Sequence, residues 1–82
     1  MDGDGIMEAK TRMWVVETDQ YGMTDRKFYV DDPIHVPRVG EFVDSDEAAG
    51  RIEGINWYYL NGKHGFDFPK TIIYVFLKPN VD

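Results

Sequence analysis

Lys70-Thr71-Ile72-Ile73-Tyr74-Val75-Phe76-Leu77-Lys78 is the stretch that decides the fold. The seven residues between its two lysines are β-branched, aromatic or leucine, a composition suited to a pleated, packed strand. Alternation puts Ile73, Val75 and Leu77 on one face and Ile72, Tyr74 and Phe76 on the other, so both faces are apolar. Pro79 cannot donate to a ladder and stops the run.

Working outward, Arg51 to Leu60 predicts a preceding strand whose alternation slips. Ile52 and Gly54 share one face, while Ile55, Trp57 and Tyr59 share the other, and a bulge at Gly54 would restore one inward face. Asn61-Gly62 is a strong turn dipeptide opening a loop that runs to Pro69. Nearer the start, Arg12 to Thr18 is again β-branched and aromatic. A loop over Asp19 to Asp25 leads to Arg26–Asp31, where Phe28 and Val30 oppose Lys27, Tyr29 and Asp31. The short connection makes these two strands antiparallel partners. Pro33 and Pro37 bracket Ile34-His35-Val36, which reads as an extended crossing segment or an edge. Glu41 to Asp44 is a brief further strand, and Ser45 to Gly50 a polar loop.

No stretch holds a 3.6-residue apolar period long enough for a substantial helix. The expected fold is therefore all-β: a five-stranded antiparallel small barrel or a strongly curled sheet. It occupies residues 12–79 as one domain, with a flexible leader over 1–11 and a tail over 80–82.

The chain has 82 residues, no cysteine and a net charge of −6. Without cysteine there are no disulfides, thiolate nucleophiles or cysteine-held metals. No apolar run approaches the roughly 20 residues of a membrane-spanning helix, and no signal peptide is visible, so a cytoplasmic protein without membrane contact is expected. The acidity is uneven. Residues 1–50 hold twelve acids against five bases, whereas residues 51–82 hold three against four. Direct nucleic-acid binding is disfavoured, because that affinity comes largely from lysine and arginine displacing counterions.

Chemical sites are sparse. Asp44-Ser45-Asp46-Glu47 is the densest acidic cluster, but it lacks the spacing of a calcium loop, and Asp2-Gly3-Asp4-Gly5 is weaker still. His35 and His64 share no metal-binding spacing. Ser45, the only serine, sits among carboxylates rather than in a nucleophile elbow, and the glycines form no phosphate cradle. The expectation is a non-enzymatic chain with no catalytic residue, no metal and no cofactor.

The two-sided strands are the better clue. Trp14, Val16, Tyr29, Tyr74 and Phe76 exceed what a single core needs. Either the leader, the proline segment and the loop after Asn61 cover them, or they form an exposed patch of the residue types that dominate binding hot spots. On the second reading the partner-binding residues are Trp14, Tyr29, Trp57, Tyr59 and Tyr74, with Asp31, Asp32, Glu41, Asp44, Asp46 and Glu47 as a charged edge.

Val36-Pro37-Arg38-Val39-Gly40-Glu41-Phe42-Val43, followed by Gly50-Arg51-Ile52-Glu53-Gly54-Ile55 and an apolar strand, resembles the small SH3-like barrel proteins of phages and mobile elements. The likeness spans about half the chain, and these barrels share no common site, so it assigns no functional residue. It implies an inhibitor of a host protein, for example a nucleic-acid-mimicking decoy whose acids occupy a basic groove. The alternative class is a structural homo-oligomer whose aromatic faces pair across a symmetric interface.

Overall fold

The computed structural model describes residues 10–60 and 70–79. Five strands make up this part: β1 (Thr11–Asp19), β2 (Gly22–Asp31), β3 (Phe42–Asp44), β4 (Ala49–Tyr59) and β5 (Thr71–Lys78). They form a single sheet in the order β2-β1-β5-β4-β3, curled into a half-barrel, and no helix occurs among the described residues. Most of the expected leader, the tail and the loop from Asn61 to Pro69 lie outside the described residues.

The pairing is mixed. β1–β2, β4–β5 and β3–β4 are antiparallel, as expected, but β1 and β5 run parallel, with Trp14 beside Tyr74 and Val15 beside Val75. Side-chain alternation is the same in both kinds of ladder, so it does not reveal direction. A second difference lies in the first hairpin. The expected loop contracts to Gln20-Tyr21, because Gly22 takes φ +116° and Asp19 Oδ1 accepts the Tyr21 amide at 2.8 Å. A left-handed glycine after a side-chain-stabilised turn lets the chain reverse in two residues.

The slip in β4 is a bulge. Ile52 pairs with Leu77 and Gly54 with Phe76, so one residue is skipped and Ile52 and Ile55 face the same way. That inward face supplies Ile52 from β4, Met13 and Val15 from β1, and Ile73, Val75 and Leu77 from β5, all buried. The proline segment closes over it as a crossing. It leaves β2 with the Asp32 amide on the Thr11 carbonyl, packs Val36 against the core, and reaches β4 with the Gly40 amide on the Ile52 carbonyl. The curl brings distant strands together at one end, where Arg26 Nη2 of β2 donates to the Asp46 carbonyl beyond β3 at 3.2 Å.

Candidate interaction face

The sheet face turned away from the core is aromatic. Its residues follow from alternation and register: Trp14 of β1 lies between Tyr29 of β2 and Tyr74 of β5, and Tyr74 is flanked in turn by Asn56 of β4. The rings of Trp14 and Tyr29 are 5.0 Å apart and tilted, and Tyr58 meets Tyr74 edge-on at 5.4 Å. Tyr74 and Phe76 lie parallel at 6.0 Å. These spacings are those at which aromatic pairs attract. Neighbours shield Trp14, Tyr74 and Phe76 to an intermediate degree, whereas Tyr29 and Tyr58 each remain 48% exposed.

Two shallow grooves run across this face. One, of about 340 Å³, is lined by Met23, Tyr58, Leu60, Ile72, Tyr74 and Phe76. The other, of about 190 Å³, lies beside Trp14, Val16 and Lys27 and shares Met23 and Tyr74 with the first. Cations sit over the rings at the β2 side: the Arg12 guanidinium is 4.0 Å from the Tyr29 centroid and Lys27 Nζ 5.6 Å from that of Trp14. Arg12 also forks onto Asp31, Nε to Oδ1 at 2.7 Å and Nη2 to Oδ2 at 3.1 Å. That two-bond contact raises the Arg12 pKa and lowers that of Asp31.

The residues expected to bind a partner are thus divided. Trp14, Tyr29 and Tyr74 share the outer face. Trp57 and Tyr59, stacked at 6.4 Å, project from the other side of the sheet at the far end of β4. Tyr58, Phe76 and Met23 complete the outer face. Phe76 was visible as surplus, but Tyr58 falls on the parity opposite to the Ile55-Trp57-Tyr59 run, and only the alternation Gly54-Asn56-Tyr58 would have pointed to it.

The acids do not form one edge. Asp31 is engaged by Arg12, Asp32 Oδ1 accepts the Lys10 and Thr11 amides at 3.0 Å each, and Glu41 Oε1 accepts the Arg38 amide at 2.7 Å. Asp44 at the end of β3, and Asp46 and Glu47 in the turn that follows, are exposed. Asp31 pairs beside the start of β5 and the β3–β4 turn lies beyond its end, which separates Asp31 and Asp32 from that turn by on the order of 20 Å along the strands. Among the described residues, no three histidine or acidic side chains converge to hold a metal ion, and no helix is long and apolar enough to cross a membrane. Compared with known protein families, curated proteins and solved structures, the chain matches none.

Proposed function

We propose that the chain is a non-enzymatic interaction module that docks a protein partner on its outer aromatic face. The observation that carries this reading is the row of rings Tyr29-Trp14-Tyr74-Tyr58, two contacting pairs set side by side by the β1–β5 register, which lies across the sheet from the core. Such rings bury large area at low entropic cost, and the grooves between them accept apolar side chains. The exposed acids of the β3–β4 turn add a negative field that favours a basic partner and raises its association rate. The mimicry version, in which the acids replace nucleic acid in a basic groove, rests on Asp44, Asp46 and Glu47, since Asp31, Asp32 and Glu41 serve the fold.

The test is a pull-down with the whole chain as bait, repeated with Tyr29→Ser and Tyr58→Ser. Both side chains are half exposed, so the fold should tolerate the changes. A partner retained by the native chain and lost from both variants supports the outer face. The same partners on native and variant baits would refute it.

A further inference from the structure

Among the described residues, the second half of one edge of β4 has no neighbouring strand. β3 covers only Ala49 to Arg51, and the chain before it bonds to Ile52. From Glu53 to Tyr59 no described residue makes a backbone hydrogen bond to that edge. The Leu60 amide donates to the Lys70 carbonyl, so even-numbered residues beyond the bulge turn their backbone groups to β5. Ile55, Trp57 and Tyr59 consequently point three N–H and three C=O groups outward.

The opposite edge of the sheet shows what protection looks like. β2 carries Asp25, Arg26, Lys27 and Asp31, the kind of charges that discourage strand addition. Beyond the bulge, the part that no described strand covers, Ile55-Asn56-Trp57-Tyr58-Tyr59, carries none, and the one charge nearer the bulge, Glu53, accepts the Thr18 hydroxyl at 2.6 Å. Trp57 and Tyr59 belong to the core side of the sheet, yet they are 48% and 65% exposed, out beyond the residues packed on the core.

We infer that this edge pairs with the same edge of a second copy, antiparallel, about a two-fold axis at Trp57. The inference stands apart from the outer-face reading. In that register Trp57 faces Trp57, Ile55 of one copy faces Tyr59 of the other, and all the outward backbone groups find partners. On the outer side Asn56 meets Tyr58. No like charges are opposed, and aromatic–aliphatic cross-strand pairs are among the favourable ones. The contact is isologous and closes at two copies, leaving the guarded β2 edges and the three-residue β3 outermost. Electrostatics permits it despite the net −6. The acidic β3–β4 turn precedes Ala49, so it stands about 25 Å along the strand from the axis in each copy, beyond a Debye length at physiological salt. A contact of one strand and three rings is near the lower end of stable interfaces, so the dimer is reversible.

Sedimentation velocity from about 1 µM to about 1 mM, with amide exchange at both ends of the range, tests this on the native chain. The expected result is a concentration-dependent rise to twice the monomer mass, with the Ile55, Trp57 and Tyr59 amides slowing as the dimer forms. Trp57→Lys should raise the dissociation constant at least about 30-fold, while Trp57→Phe and the outer-face change Tyr29→Lys leave it nearly unchanged. A native monomer throughout the range overturns the inference, as does a dimer whose three amides exchange no slower. Neither result bears on partner capture by the outer face, which Tyr29→Ser and Tyr58→Ser report separately.

Discussion

A single carboxylate oxygen of Glu17 accepts both the Arg26 guanidinium, at 2.7 Å, and the Ala49 amide, at 2.9 Å. It thereby joins β1, β2 and the start of β4. Glu17 shares the inward face with Met13 and Val15 and is itself buried, so its charge is tolerated only because both donors meet it. Glu17→Gln keeps an acceptor but loses the charge, and is expected to cost about 1–3 kcal/mol. Glu17→Ala should cost more, because it strands the Ala49 amide. Urea unfolding checks both: the midpoint should fall with the slope unchanged.

The same contact sets the response to acid. The Arg26 hydrogen bond, aided by the Ala49 amide, holds the Glu17 carboxyl below its ordinary 4.5, and the Arg12 fork holds Asp31 below its ordinary 3.8. A carboxyl that is harder to protonate when folded stabilises the fold fully above its unfolded value. That stabilisation is lost as pH falls through the lowered folded value. Thermal midpoints should therefore be flat near neutrality and decline once pH drops below about 4.5. Glu17→Gln should decline less steeply; an identical slope would remove Glu17 from the account.

How much of this was legible beforehand differs from element to element. The slip between Ile52 and Ile55 is itself a break in period, so a bulge beside Gly54 could be expected from sequence, although the residue left out of the ladder is Glu53. The apolar faces of β1 and β5 were equally plain, but their meaning was not. Runs apolar on both sides are what interior strands show, and here β5 is the central strand and β1 its parallel neighbour. Their direction depends on the path of the intervening chain, which no local pattern records. Glu17 was readable in principle, as an acid at the parity of Met13 and Val15. The capping roles of Asp32 and Glu41 were not readable, because their donors are set by where the crossing segment begins and ends.

Of the described glycines, Gly50 is the one where a side chain would meet backbone. It has φ +147°, and a Cβ there would lie 2.5 Å from the Lys78 carbonyl oxygen and 2.8 Å from its carbon. Those atoms belong to the backbone of β5 and cannot swing aside. Gly50→Ala should lower stability by about 2–4 kcal/mol through backbone strain plus steric overlap. A melting temperature within a degree or two of the native chain would show that the two strands can separate locally without cost.

Asp32 separates charge from structure. It sits at φ +48°, its Oδ1 receives the Lys10 and Thr11 amides, and its own amide bonds to the Thr11 carbonyl at 2.8 Å. Asparagine tolerates that left-handed conformation and keeps the acceptor oxygen. Asp32→Asn should thus leave stability within about 0.5 kcal/mol of native, whereas Asp32→Ala should cost about 1–2 kcal/mol. If the asparagine variant were as damaged as the alanine one, the charge rather than the cap would hold the turn.

Asp44, Asp46 and Glu47 have the opposite character. The β3–β4 turn is held through backbone groups, with Ser45 Oγ accepting the Glu47 amide at 3.1 Å and the Asp46 carbonyl accepting Arg26. Their carboxylates make no hydrogen bond or ion pair with another described residue. Changing them together to Asn, Asn and Gln should shift stability by no more than about 0.5 kcal/mol. The effect belongs in kinetics: exposed charges act on encounter, so association with a basic partner should slow most at low ionic strength and lose most of its salt dependence. Stopped-flow association at two salt concentrations reads this directly. A salt dependence as steep in the triple variant as in the native chain would show that these three acids do not steer the encounter.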